Sequence, residues 1–164
     1  MKYEPELTID LLLENFKNNI DPNKIISAIM NTEIEKREKV VFYLDKLIKD
    51  GCKEKNIHNL YIFFLCQISE NKEESIERLL IYLNEKSNLK SADFDVDYAL
   101  KVFSQFKIYS AQSYALSLME KYDEAIKVAL EHNCLDVAKK ITKLVVDKKI
   151  QKRLWLDVKL ILIF

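Results

Sequence analysis

The chain has 164 residues, which suits one compact domain or one segment of a longer repeat array. Its 26 basic and 26 acidic residues are interleaved, so it lacks the basic excess typical of a nucleic-acid-binding protein. One glycine and two prolines are too few for the turns of a sheet protein, while 49% hydrophobic residues can form a sizeable core. The composition therefore predicts an all-α protein.

Helix signals begin early in the chain. Asp21 and Pro22 stand as an N-cap and a first helical residue, and Thr32 and Glu35 have the spacing of a capping box. A long helix should follow this box. Gly51, the only glycine, is predicted to end that helix as a left-handed C′ residue.

The middle of the chain is predicted to hold a buried helix, a second helix and a loop. Residues 57–68 are apolar almost all round, and the length of the run favours a helix over a strand at 61–64. Asn71 and Glu74 form a weaker cap signal for the next helix. Residues 86–95 have little periodicity, so we expect a loop-like joint there within a single segment covering 1–164.

The second half is predicted to contain five helices of about 10 to 16 residues joined by short polar links, which force neighbours antiparallel. A Tyr-Ala-Leu triplet at 98–100 recurs at 114–116, although the period does not look constant. Small residues should allow close helix contacts at Ala111, Ala115, Ala125, Ala129 and Ala138. We therefore predict a tetratricopeptide-like α-solenoid of about ten helices, stacked as antiparallel hairpins.

Residues suited to catalysis or metal binding are sparse. Neither Cys52 with His58 nor His132 with Cys134 has the second pair that a zinc site needs. One glycine cannot build a phosphate-binding loop, and no Ser or Cys stands in an evident triad. We predict no catalytic residue, metal, cofactor or small-molecule substrate. The chain shows no signal peptide and no run long enough to span a membrane.

The last residues form an apolar tail, LILIF, at 160–164. Burying each large side chain is worth roughly 1.5–3 kcal/mol, so something should cover them. The next helix of a longer solenoid, the chain's own core, or a partner or second copy could do so; we expect the first. The candidate interface residues are Trp155, Leu160, Ile161, Ile163 and Phe164, with Trp155 packing inside.

Several stretches resemble, in order, the vacuolar protein sorting-associated protein 18 family, also called deep-orange or Pep3. KYDEAIKVAL at 121–130 looks like its Leu-Tyr-Glu-Glu-Ala-Val-Asp-Leu-Ala-Leu stretch, and IQKRLWLDV at 150–158 like its Leu-Arg-Lys-Lys-Leu-Trp-Leu-Lys-Ile. NIHNLYIFFLCQ at 56–67 is similar to its Ile-His-Asn-Tyr-Leu-Leu-Ser-Leu-Tyr. Further similar stretches lie at 77–85, 95–106 and 136–140.

The resemblance implies a clathrin heavy-chain repeat segment of a subunit of the HOPS and CORVET tethering complexes. Such a subunit would act in endosome-to-vacuole or lysosome fusion, with other tethering-complex subunits as partners. It would be cytoplasmic and peripheral on those membranes. The family's β-propeller and RING zinc domain have no counterpart in this sequence, so ubiquitin ligation is not implied.

Two departures and two rival hypotheses accompany the resemblance. Residues 141–149 are apolar and basic where the family has an acidic connector with proline, which is compatible with a continuous helix. KLILIF replaces the family's Ala, Arg and His after its Trp-Leu pair. The first rival is an unrelated tetratricopeptide-like adaptor that holds peptides in a concave groove. The second is an all-α enzyme with a pocket of perturbed titratable groups.

Overall fold

The architecture is that of a computed structural model, which describes residue 29 and residues 37–69, 73–89 and 92–163. The predicted caps at Asp21, Thr32 and Asn71 lie outside these residues. Eight helices and no strand occur in the described ranges, as expected for an all-α fold. They are α1 Arg37–Lys49, α2 Lys55–Ser69, α3 Glu73–Leu89, α4 Val96–Gln105, α5 Tyr109–Leu118, α6 Tyr122–Glu131, α7 Leu135–Leu144 and α8 Lys148–Ile163.

The helices stack in the order in which they occur along the chain. Helix α5 contacts its sequence neighbours α4 and α6 and also α3 and α7, two helices away. The same pattern brings α2 against α4 and α6 against α8. The main contacts join neighbouring and next-neighbouring helices, as in an α-solenoid, so the predicted fold class is confirmed.

Helices α4 to α7 repeat with a constant step of 13 residues. Each helix has ten residues and a link of three residues follows it. The middle residue of three successive links is left-handed, with φ of 55° at Lys107, 60° at Glu120 and 59° at Asn133. The period is therefore constant here, contrary to expectation. The Tyr-Ala-Leu triplets are not equivalent positions, since their spacing does not match this step.

Each of these links is closed by the same pair of backbone hydrogen bonds. The Glu120 N–H donates to the Ser117 carbonyl at 3.0 Å, and the Lys121 N–H donates to the Leu116 carbonyl at 3.0 Å. This is the Schellman arrangement, which satisfies the last carbonyls of a helix. Gly51 closes α1 in the same way with φ of 93°, as predicted.

Small residues lie where the helices approach one another. The alanines predicted to permit close contact are all fully buried: Ala111, Ala115, Ala125, Ala129 and Ala138. Large side chains such as Phe103 and Tyr114 belong to the same buried core. Helix α2 is buried on most sides, as its composition predicted. The alternative prediction of a strand at 61–64 is wrong, because these residues lie within α2.

Two boundaries differ from the sequence-based expectations. Helix α3 continues to Leu89 because Leu83 and Ser87 extend its buried face, so the expected loop at 86–95 is helical in its first part. The apolar and basic stretch at 141–149 does not form one helix. Helix α7 ends at Leu144, and the Asp147 carboxylate caps α8 by accepting hydrogen bonds from the N–H groups of Lys149 and Ile150.

Candidate functional site

A buried polar hub joins α1, α2 and α3. Its centre is His58, whose side chain is fully buried near the start of α2. The His58 Nε2 lies 2.8 Å from the Cys52 carbonyl oxygen, and the His58 Nδ1 lies 2.6 Å from the Tyr82 hydroxyl. One side chain therefore connects the link after α1 to Tyr82 of α3, which lies 24 residues after His58.

These two partners fix the tautomer of the neutral imidazole. A carbonyl can only accept, so Nε2 carries the hydrogen, and Nδ1 then accepts from the Tyr82 hydroxyl. Burial lowers the pKa of His58, while the hydrogen bond to the Cys52 carbonyl acts in the opposite direction. The hub therefore holds His58 as a neutral imidazole at neutral pH.

The hub extends to the chain that follows α3. Lys86 forms an ion pair with Asp93, and its ammonium lies 5.6 Å from the centre of the Tyr82 ring. The hydrogen bond from Lys86 lowers the pKa of Asp93. Phe94 packs on Tyr82 with ring centres 6.0 Å apart and is almost fully buried. These contacts fix the chain at 92–94 against α3.

The residue after His58 reaches the second half of the molecule. The Asn59 side-chain oxygen accepts a hydrogen bond from the Asp95 N–H at 2.9 Å. Asp95 is itself the N-cap of α4, where its carboxylate accepts from the Tyr98 N–H at 3.0 Å. The family-like Ile-His-Asn triplet at 57–59 thus places one residue in the core, one in the hub and one on the cap of α4.

The hub has no evident chemical role beyond positioning. Cys52 contributes its carbonyl rather than its thiol, and the polar atoms of His58 are satisfied. Burial raises the pKa of the Cys66 thiol to about 12, so this cysteine is not a ready nucleophile. No group of three His, Cys, Asp or Glu that could hold a metal occurs in the described part of the chain. The predicted absence of a catalytic site stays a prediction.

The second histidine belongs to a surface contact. The ring of His132, at the end of α6, lies flat on Tyr109 at the start of α5, with ring centres 3.4 Å apart. Sequence reasoning weighed His58 and His132 as zinc ligands and did not identify these contacts. The similarity of residues 57–59 to a family triplet was the available signal for the hub. The hydrogen bond from Tyr82 to His58 could not be inferred, because Tyr82 lies 24 residues further along the chain.

Helix α8 carries the predicted interface. Leu154 and Val158 are buried against the stack, Trp155 is partly buried, and Leu160 is 57% exposed. Leu156, which the prediction did not include, is 55% exposed one turn before Leu160. The side chains of Ile161 and Ile163 and the whole of Phe164 lie outside what the structure describes. No described helix is long and apolar enough to cross a membrane.

Stacked helical hairpins, a satisfied polar hub and an exposed apolar helix face together define an α-solenoid scaffold. The chain belongs to the family described as "VPS18, alpha-solenoid domain, second half", whose model matches residues 1–163. It is also similar to the vacuolar protein sorting-associated protein 18 homolog of Danio rerio, with 26% identity over 165 residues.

That alignment covers 96% of this chain and 16% of the zebrafish protein. The chain therefore spans about a sixth of the length of this curated relative. The family resemblance and the solenoid fold derived from the sequence are both confirmed. Family membership favours a VPS18-like subunit over the unrelated tetratricopeptide-like adaptor.

Proposed function

We propose that this chain is the scaffold segment of a vesicle-tethering complex subunit, of the HOPS or CORVET kind, acting in transport from endosomes to vacuoles or lysosomes. The observation that carries the proposal is the family match over residues 1–163, on a chain that folds as stacked hairpins. Such a segment spaces other modules and offers extended surfaces for protein partners. Its place is cytoplasmic and peripheral, held at the organelle membrane through the complex.

The proposal includes a mechanical rather than catalytic role. The polar hub uses its hydrogen bonds to position helices, which supports a function in shape and surface. Helix α8 is the proposed contact element, with Leu160, Ile161, Ile163 and Phe164 meeting the next helix of the same protein or another subunit. The exposed Leu156, one turn before Leu160, extends this surface towards the start of α8.

Co-purification of the complex tests this function. The full-length protein would carry Leu156→Asp with Leu160→Asp, two exposed positions where a carboxylate does not disturb the core. We expect reduced recovery of the other tethering subunits and defective delivery of a vacuolar hydrolase. Lys101→Asp on the exposed face of α4 is the matched control and should behave as wild type.

A second arm tests the segment itself. Full-length protein lacking residues 37–163 should fail to restore hydrolase delivery in cells depleted of the native protein. Full activity of that deletion would reject the scaffold role. Normal co-purification of the double aspartate variant would reject only the contact assigned to α8.

A further inference from the structure

A groove of about 710 Å³ lies between α3 and α7, away from the hub and from the exposed face of α8. One wall is a stripe of α3 side chains that recur at intervals of three or four residues and therefore share a helix face. Lys140 of α7 stands on the other side. The groove lies within the size range of ordinary binding pockets.

The centre of the groove is apolar. Ile76 and Leu80 are partly buried in its floor, and Ile81 is 54% exposed beside them. Three large aliphatic side chains in adjacent turns can anchor the apolar face of a second helix. Ile76 and Leu80 also pack against the core, so Ile81 is the exposed member of the three.

The rim of the groove is acidic. Four carboxylates, from Glu73, Glu74, Glu77 and Glu85, line it against the one ammonium of Lys140. Glu74 is paired with Arg78 at 2.6 Å, whereas the other three make no ion pair with described residues. The whole chain has balanced charge, so this concentration of carboxylates is local.

We propose that this groove binds a basic amphipathic helix of a partner protein. The α3 wall runs from residue 73 to residue 85, a length of roughly 18 Å at 1.5 Å per residue, or about three helical turns. Leucine-type side chains on one face of the ligand helix contact Ile76, Leu80 and Ile81. Lysine or arginine side chains on its flanks pair with the glutamates, a helix-in-groove mode with charge complementarity.

The chain's own first residues are poorly suited to this groove. Residues 1–36 contain seven acidic and four basic residues, so their net charge has the same sign as the rim. The charge of the rim therefore favours a basic ligand over residues 1–36. This inference rests on the groove alone and does not require the tethering role, so each can fail without the other.

A designed peptide tests the groove. The probe is a fluorescein-labelled helix of about 14 residues, with leucines at i, i+3, i+4 and i+7 spacing and lysines elsewhere. We expect saturable binding to the 164-residue chain, measured by fluorescence anisotropy and weakened by added salt. The same peptide with glutamates in place of lysines, or with two central prolines, should not bind.

Variants locate the site. Glu77→Lys with Glu85→Lys should raise the dissociation constant at least about tenfold, and Ile81→Ser should also weaken binding. Glu124→Lys with Glu131→Lys on the exposed face of α6 gives the same net charge away from the groove and should bind as wild type. Circular dichroism would verify that each variant is folded.

Three outcomes would overturn the proposal. The first is the absence of saturable binding by the lysine peptide. The second is an equal loss of binding in the two charge-reversed variants, which would indicate bulk attraction. The third is equal binding of the proline peptide, which would contradict a helical ligand.

Discussion

At the scale of single residues, His58 shows how a polar side chain can organise a helical stack. It is fully buried, yet it donates to the Cys52 carbonyl in the link after α1 and accepts from Tyr82 of α3. Such a side chain is tolerated in a core because both ring nitrogens have partners, whereas an orphaned nitrogen would cost stability. The sequence displays the histidine but not its partners, so its role could not be inferred from spacing.

Removing one hydroxyl should reveal the cost of breaking the hub. Tyr82→Phe keeps the ring against Tyr61 and Phe94 and leaves the His58 Nδ1 without its donor. We expect the free energy of unfolding to fall by about 1–3 kcal/mol, the usual range for an orphaned buried group. Urea denaturation measures it.

Tyr122→Phe is the matched control, since Tyr122 is only partly buried and donates no hydrogen bond among those the structure describes. Its effect should stay within about 0.5 kcal/mol, as for other surface substitutions. Equal effects of the two variants would show that the Tyr82 hydroxyl does not stabilise the fold.

Protonation of His58 should destabilise the fold below neutral pH. Burial lowers the pKa of His58 in the folded state, so the unfolded chain, with a histidine pKa near 6.5, takes up the proton more readily. The stabilisation is therefore present above about pH 6.5 and lost as the pH falls towards the lowered folded pKa. The slope can reach about 1.4 kcal/mol per pH unit in this window.

Urea denaturation between pH 7.5 and 5 checks this dependence. The chain has two histidines, so His58→Gln should remove the decline and His132→Gln should retain it. The hydrogen bond from Lys86 lowers the pKa of the nearby Asp93, so this carboxylate keeps its charge over this range. A wild-type stability that does not change with pH would contradict the neutral buried imidazole.

At the scale of secondary-structure elements, some helix ends could be predicted from the sequence and others could not. Gly51 marked the end of α1 because glycine is the usual left-handed residue there. Lys107, Glu120 and Asn133 hold the same backbone conformation without that marker. Side-chain identity therefore did not reveal the 13-residue step, and the recurring Tyr-Ala-Leu triplets do not occupy equivalent positions.

The same reasoning explains the boundary of α3. Ser87 and Asn88 are common in loops, but Ser87 is buried and the pairing of Lys86 with Asp93 follows from tertiary packing. The acidic groove was equally inaccessible to sequence reasoning. Its α3 wall is a simple helix face, but the opposing Lys140 comes from a helix four elements later.

Glycine should improve a left-handed link. Lys107→Gly relieves the cost of holding a side chain at φ of 55°, partly offset by the larger entropy of glycine in the unfolded chain. We expect a gain of about 0.5–1 kcal/mol in the free energy of unfolding. Thermal denaturation followed by circular dichroism measures it.

Lys101→Gly provides the opposite case with the same chemical change. Lys101 is exposed in the interior of α4, where glycine should cost about 1 kcal/mol. Gains or losses of the same sign at positions 101 and 107 would show that the left-handed backbone does not decide the outcome.

At the scale of the whole molecule, stability should vary along the stack. In a solenoid each helix is supported only by its neighbours, so helices at the middle have more support than those at an edge. Helix α5 packs against four other helices and buries most of its residues. Helix α8 packs against α6 and α7 and exposes Leu156 and Leu160.

Hydrogen exchange of the 164-residue chain should follow this gradient. Backbone amides of α5 are expected to exchange at least about ten times more slowly than those of α8, because α8 can open without disturbing the centre. Mass spectrometry of proteolytic fragments resolves the two helices. Uniform exchange along the stack would instead indicate one cooperative unit.

If α8 meets a neighbour in the full-length protein, its exchange should slow there while that of α5 stays the same. The double variant Leu156→Asp with Leu160→Asp should reverse this slowing of α8.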